Sequence, residues 1–566
     1  MNIQAPGNDY SAIVEADRKN VWHHLTQHKK FETVDPMIII EGKGMRVWNQ
    51  AGREHLDATS GGVWTVNVGY GREHIANAVR DQLVKLPYFA GSAGTIPGAL
   101  FSEKLLEKMP GMSRVYFSNS GSEANEKTYK IVRQIAHNKY GGKKHKILYR
   151  DRDYHGTTIT ALSSGGQEER KAQYGPYTPG FVSVPHCLEY RSQWGDVEDY
   201  GIRAANAIEE VILREGADTV GGLILEPITA GGGVITPPQG YWDRVQEICK
   251  KYEVLLIIDE VVCGVGRTGT WFGYQHYGIQ PDMVTMAKGV ASGYAAISCT
   301  VTTEEVFNMF KDDAADPLNY FRDISTFGGC TGGPAAALEN MAIIEEEGLL
   351  ENCTAMGARM MGNLQALMDK HQIIGDVRGG HGLMTGLELV SDRAAKTPLG
   401  KDLMALIHQR VYEAGVMVRM SGANFLMSPP LIISEEQIAK VIRDDIPGLD
   451  FIGPNIKVEK VVLDDLSFDL NFTTKTRIDM CMTCHQAADR AGFEPEDVEQ
   501  PQRGLQRHGV GGLHQHPHLG CLLQLPRDPW PQFGLAERLA VEVQAAVRVD
   551  AQKQGALGFG VARARP

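Results

Sequence analysis

No stretch of this 566-residue chain approaches the roughly 18 uninterrupted apolar residues that a membrane-spanning helix requires. Nor does the N-terminus, Met1 to Asp17, carry a basic patch followed by an apolar core, so no secretory signal is expected. Cysteine is sparse: nine residues, scattered apart from Cys481 and Cys484, an odd count that suits reduced thiols better than a disulfide framework. Excess positive charge is also missing. The formal net charge of -12 argues against nucleic acid or an anionic membrane surface as the main partner. Those absences leave a cytoplasmic globular protein as the expectation. Apolar residues at 43% and charged residues at 22% agree with it, and the length calls for more than one structural unit.

Residues 12–28 read as an amphipathic helix, and Met37 to Ala58 as a short meander turning at Gly42-Lys43-Gly44 and Asn49 to Gly52. From about Gly61 to Gly333 strands alternate with helices. Strand-like runs end at Phe117, Tyr149, Leu225 and Asp259, and helical runs cover Ser122–Tyr140, Ile202–Arg214 and Tyr241–Tyr252. That alternation predicts an α/β unit with a mostly parallel sheet covered on both faces. From about 335 to 445, long helices (Ala335–Glu347, Asn352–His371, Lys401–Ala414) alternate with short strands, as a smaller α+β domain would. The expected divisions are 1–60, joining the small domain; 61–333, the large domain; 334–450, the rest of the small domain; and 451–566, an extension.

The extension differs in texture. Residues 500–566 hold one lysine, Lys553, with many Arg, Gln, Gly, Pro and His, and no clean period outside Ala536 to Val549. It reads as an irregular segment, either disordered or translated out of frame. Cys481-Met482-Thr483-Cys484-His485 has the spacing of a c-type haem attachment site, but nothing in the chain directs the export that such haem requires. His514, His516 and His518 lie in low-complexity surroundings that argue against a metal site.

Chemistry concentrates elsewhere. Asp259 closes the apolar run Val254–Ile258, and Lys288 follows in Thr285-Met286-Ala287-Lys288-Gly289, on a segment read as strand-like. Pyridoxal phosphate needs both groups: an amine to condense with its aldehyde, and a carboxylate to keep its ring nitrogen protonated. Ser118-Asn119-Ser120-Gly121-Ser122-Glu123-Ala124-Asn125 lies between a strand and a helix, where free N–H groups and the helix dipole favour an anion. For an arbitrary helix the same run would serve only as a capping box. Tyr154-His155-Gly156 offers a ring for stacking, and Glu226-Pro227 puts a carboxylate at a strand's C-terminal end, where ligands of open α/β sheets collect.

In order, S-N-S-G-S-E-A-N, Y-H-G, E-P, D-E-V-V-C-G-V-G-R-T-G and A-K-G resemble the class III (ω-type) pyridoxal-phosphate-dependent aminotransferases, over residues 15–445. The resemblance implies the fold type I transferase architecture. It implies that Lys288 bonds the cofactor and carries protons, that Asp259 partners the ring nitrogen, and that Val261 and Tyr154 sandwich the ring. Gly121 and Ser122 would bind phosphate and Glu226 would join the cofactor's polar network. Thr326, from the neighbouring subunit, would complete the phosphate site, which makes a homodimer or dimer of dimers the expected assembly. Gly329-Cys330-Thr331 departs from the family's usual Gly-His-Pro at that point. Trp64 and Phe89 match pocket-wall positions, and Arg419 matches a mobile arginine that grips a carboxylate or, equally well, a sulfonate. Val21–Leu25, Gly61–Tyr70, Tyr88–Gly98, Asp153–Thr158, Pro185–Tyr190 and Asn319–Cys330 are similar to a subgroup acting on taurine and pyruvate by a ping-pong mechanism. A β-alanine or general ω-amine:pyruvate activity is the alternative.

Overall fold

The computed structural model describes residues 9–312 and 316–442, and the backbone of 461–470 and 473–479. Chain contacts divide it into two units, Met1–Ile456 and Lys457–Pro566.

The first unit is built on a seven-stranded sheet. In chain order its strands are β1 (Met112–Ser118), β2 (Lys146–Arg150), β3 (Phe181–Val184), β4 (Val220–Leu225), β5 (Leu255–Asp259), β6 (Met283–Met286) and β7 (Ser298–Thr303). They lie side by side as β1-β7-β6-β5-β4-β2-β3. β7 is antiparallel to both neighbours, whereas β6-β5, β5-β4, β4-β2 and β2-β3 pair in parallel.

Every residue of β4 is buried, as expected of a strand covered on both faces. The two-residue period of a strand then assigns side chains to layers. Ile147, Tyr149, Ile224, Ile257 and Met283 pack with Tyr129, Ile131, Val132 and Ile135 of helix α1 (Gly121–Tyr140). Their sequence neighbours Leu148, Leu223, Leu225, Leu256 and Ile258 join the opposite core, with Ile208 of α2 (Tyr200–Glu215) and Val245 and Ile248 of α3 (Tyr241–Tyr252). Parallel strands joined by helices bring β2, β4, β5 and β6 to one edge by their C-terminal ends. Asp259 and Lys288 stand at that edge.

Two smaller sheets of the first unit draw on residues 39–57 and 374–427. Ile39–Lys43, Arg46–Asn49 and Glu54–Asp57 form an antiparallel meander, and Val416–Met417 adds to it in parallel, Val416 opposite Leu56. Ile374–Arg378, Thr385–Asp392, Asn424–Met427 and Arg419–Ser421 lie side by side in the other, and Thr397–Pro398 pairs with Thr385–Asp392 off that path. The N-terminal segment therefore shares a sheet with residues more than 350 positions away.

Three local expectations are corrected. The first helix spans only Ser11–Asn20; Val21 turns extended, Leu25 takes φ 51°, and a separate 3-10 turn follows at His28–Glu32. The apolar residues that extended the pattern, Val21, Trp22 and Leu25, are exposed on the single chain and give a longer helix nothing to pack against. Lys288 is not on a strand: β6 stops at Met286, and Lys288–Val290 forms a short 3-10 turn. In the second unit, the backbone of 461–470 and 473–479 pairs as an antiparallel ribbon where no strand was expected. The three β-branched threonines of Thr473-Thr474-Lys475-Thr476 suit such pairing. Cys481–His485, the histidines at 514–518 and Ala536–Val549 lie outside the described residues. Among the described residues no helix is long and apolar enough to cross a membrane.

Candidate cofactor and substrate site

Asp259 ends β5 as a buried carboxylate. Its Oδ2 accepts a hydrogen bond from Nδ2 of Asn125 at 2.8 Å and lies 2.8 Å from Nδ1 of His155, while Oδ1 accepts from the Val261 N–H at 2.9 Å. Asn125 is itself fixed: its Oδ1 accepts from Oγ1 of Thr285 at 2.7 Å, and its Nδ2 also reaches the His155 carbonyl at 2.7 Å. Strand, helix and loop thus hold one acid from three sides, which satisfies the lone pairs that burial would otherwise leave unpaired.

Glu226, just past β4, accepts from the backbone N–H groups of Tyr154 and Ala230, both at 3.0 Å. Burial, reinforced by the charges of Asp153 and Asp259, pushes its carboxyl well above the usual range. Behind it lies a fully buried ion pair, Arg150 Nη2 to Asp153 Oδ1 at 3.0 Å. Arg150 also donates to the Glu226 carbonyl at 2.7 Å and to Thr229 Oγ1 at 2.9 Å. This network anchors the loop that delivers Tyr154 and His155.

The N-terminus of α1 opens onto the same place. Ser120 caps it, accepting from the Glu123 N–H at 3.3 Å. Ser122 Oγ accepts from the Thr157 N–H at 3.0 Å. A Cβ on Gly121 would stand 3.0 and 3.1 Å from the two methyl carbons of Val261, so only glycine lets Val261 close on the helix start without displacement. Gly156 is more constrained: it has φ 142°, and a Cβ there would stand 2.5 Å from Ser122 Oγ.

Lys288 has φ 45°, in the left-handed region. Burial lowers the pKa of its amine, opposed first by the carboxylate of Asp259. Its Nζ is 5.9 Å from the ring centroid of Trp64, and Cζ of Arg419 is 4.8 Å from the same centroid. Trp64 reaches this position from a kinked turn, Ser60–Trp64, in which Gly61 and Gly62 both take φ 82°. Arg419 Nη1 donates to the Gly62 carbonyl at 3.0 Å.

The structure therefore gathers Asp259, Val261, Gly121, Ser122, Tyr154, Glu226, Lys288, Trp64 and Arg419 around one edge of the sheet. Phe89 and Thr326 stay exposed on the single chain, and among the described residues neither side chain hydrogen-bonds or stacks within that cluster. The segment carrying Thr326 is nonetheless tied nearby, with Ser325 Oγ donating to Glu123 Oε2 at 3.1 Å. At the departure Gly329-Cys330-Thr331, the Thr331 N–H and Oγ1 bond the carbonyls of Pro87 and Leu86, and Phe89 N–H donates to Gly329 O at 3.2 Å.

Sequence reasoning missed Asn125, Arg150, Asp153 and Arg170. Asn125 carried a signal, since it lies four residues after Gly121 and so on the same helix face. Nothing in the sequence marks Arg150 and Asp153 as a buried pair, and Arg170 stands in no motif. A buried acid, a primary amine and a hydroxyl at a helix N-terminus are the groups that a pyridine ring bearing an aldehyde and a phosphate requires, so the residues fit the expected cofactor.

The chain matches the family model for class III aminotransferases over residues 28–444 and belongs to that family. It is 66% identical over 448 residues to a hypotaurine/taurine–pyruvate aminotransferase of Paracoccus denitrificans, covering 78% of this chain and 97% of that protein. It is 62% identical over 440 residues to a taurine–pyruvate aminotransferase of Rhodobacter capsulatus, covering 76% and 95%. Among solved structures, an omega transaminase of Pseudomonas jessenii in complex with PMP superimposes with TM-score 0.75 at 34% identity, covering 79% of this chain and all of that one.

Proposed function

We propose that this enzyme transfers the amino group of taurine to pyruvate, giving sulfoacetaldehyde and L-alanine by a ping-pong route with pyridoxal 5'-phosphate as cofactor. The observation that carries the reading is the identity of 62–66% to relatives named for this substrate pair, sustained along 95–97% of their length. An omega transaminase of solved structure, the kind of relative that would favour a general ω-amine activity, is 34% identical. The bound cofactor supplies an aldehyde to take up the amino group and a ring to withdraw electrons from the donor carbon.

The chain supplies the rest. Lys288 would hold the cofactor through its aldehyde and, once freed by the substrate, would serve as the proton carrier, a task that suits an amine whose pKa burial has lowered. Asp259, oriented by Asn125 and His155, holds a proton on the ring nitrogen. Gly121 and Ser122 present the start of α1 to the phosphate. Val261 and Tyr154 bracket the ring, with Glu226 fixing Tyr154 through its backbone. Trp64 and Arg419 form the wall that takes the substrate's anionic end.

Phe89 and Thr326 enter the reading through a second copy of the chain. Ile324, Phe327 and Phe89 are 90%, 67% and 52% exposed, large apolar side chains on the segments that carry Thr326 and Phe89, and a homodimer would cover them. Thr326 would then complete the partner's phosphate site and Phe89 the partner's pocket. A cytoplasmic location belongs to the same proposal. Alanine release from pyruvate, measured with taurine, hypotaurine, β-alanine and 1-phenylethylamine, tests the function. Taurine is expected to lead β-alanine and 1-phenylethylamine; a preference for either of those would refute the assignment.

A further inference from the structure

Arg419 is not the only cation over the site's aromatic walls. Cζ of Arg170 lies 5.0 Å from the ring centroid of Tyr154, as Cζ of Arg419 lies 4.8 Å from that of Trp64. The two arginines come from distant parts of the chain but converge through one glycine. Arg170 Nε donates to Gln167 Oε1 at 2.6 Å, and Gln167 is so close to Gly231 that a Cβ there would stand 3.0 Å from its Nε2. Ser421, two residues from Arg419 on the same short strand, donates to the Gly231 carbonyl at 3.2 Å. After burial, the charge of Arg170 is the next largest influence lowering the pKa of Arg419, and both guanidinium charges act on the Tyr154 hydroxyl.

Among the described residues neither guanidinium meets a carboxylate. Arg170 spends one N–H on Gln167, and Arg419 spends one on the Gly62 carbonyl. Two like charges that repel each other across the site without a counterion leave most of their donors free, and a bound anion relieves both the repulsion and the unused donors.

We propose that Arg170 and Arg419 form a paired guanidinium seat for the substrate's anionic end, with Arg170 serving the third oxygen that distinguishes a sulfonate from a carboxylate. One planar guanidinium fork matches the two oxygens of a carboxylate. A sulfonate is tetrahedral and turns its third oxygen out of that plane, where a second guanidinium meets it. The assignment rests on the taurine reading and adds to it a residue that selects the sulfonate.

The test uses the full-length, cofactor-loaded enzyme with Arg170→Gln and Arg170→Lys. KM is measured for taurine and pyruvate. Inhibition constants are measured for ethanesulfonate and propionate, which carry the two anions without an amine, against 1-phenylethylamine as donor. Arg170→Gln is expected to raise the taurine KM and the ethanesulfonate inhibition constant about 10- to 100-fold, the scale of one lost charge-assisted hydrogen bond. The pyruvate and propionate values should shift by less than about threefold, within the range of a peripheral charge. Arg170→Lys should fall between, since it keeps a charge but loses the fork. Equal shifts for both anions, no shift, or a wild-type enzyme insensitive to ethanesulfonate would overturn the assignment. If the wild type releases no alanine with taurine, the proposed function fails, and ethanesulfonate inhibition still decides the role of Arg170.

Discussion

At the scale of single residues, the site depends on groups held where water would not leave them. Lys288 combines a left-handed backbone with an amine whose charged form burial disfavours. Both features hold only while the surrounding turn is intact. Lys288→Ala should abolish pyruvate-dependent alanine release by a factor of about 10² to 10⁴ or more, the usual worth of a positioned proton carrier. Thermal unfolding should show the variant still folded, because its neighbours pack without the amine; near-native turnover would remove Lys288 from the reaction. Glu260, next to Asp259, gives a pH signature instead. Burial raises its carboxyl to about 8 from an ordinary 4.5, although the N–H groups of Gly273 and Tyr274 donate to it at 2.9 and 2.7 Å. The fold therefore prefers the neutral acid. Its contribution to stability is complete below pH about 4.5, declines as pH rises, and is lost once pH passes about 8. Glu260→Gln fixes a neutral side chain, so its unfolding midpoint should fall less steeply than the wild type's across that window. Parallel pH profiles would show that Glu260 is already ionised in the folded protein.

Elements place these residues, and one backbone position sets the tolerance. Gly156 carries φ 142°, with space for a Cβ denied by Ser122 Oγ at 2.5 Å and Ala161 Cβ at 2.8 Å. Gly156→Ala should push the Tyr154–Thr157 loop off the start of α1 and weaken cofactor retention. Titration of cofactor into the stripped variant would read this as a raised dissociation constant, and unchanged affinity would mean that the loop and the helix are not coupled. Much of this framework was legible in the sequence, because strands buried on both faces write themselves as unbroken apolar runs. β4 ends at Leu225 and α3 spans Tyr241–Tyr252 as their patterns predict, and α1 starts one residue before its predicted start. What escaped was set by tertiary contact. Met286 ends β6 and Lys288 turns away with a φ that no propensity signals. The buried pair of Arg150 and Asp153 looks in sequence like two solvated charges. Arg170 becomes visible only when Gly231 brings Gln167 and Ser421 together.

At the scale of the whole molecule, the question is which parts the enzyme needs. The family match ends at residue 444, and relatives covered over 95–97% of their length account for only 76–78% of this chain. The core agrees: Ile438, Val441 and Ile442 are buried in the main hydrophobic cluster, so that core extends at least to residue 442. Contacts within residues 1–456 separate from those within 457–566. A chain ending at residue 447 should therefore remain folded, retain cofactor and release alanine at near-native rate. Thr326→Ala tests the other boundary, between copies. Thr326 is exposed on its own chain, one residue from Ser325, which is tied to Glu123 in the first turn of α1. If a second copy carries its hydroxyl to a phosphate, losing that charge-assisted bond should weaken cofactor retention about 10- to 100-fold. The Lys288 turn should be untouched, because among the described residues no hydrogen bond joins Thr326 to it in its own chain. Sedimentation and cofactor titration of both proteins separate the outcomes. A shortened chain that is monomeric or inactive would make the extension part of the working enzyme, and unchanged retention in Thr326→Ala would leave the phosphate site complete within one chain.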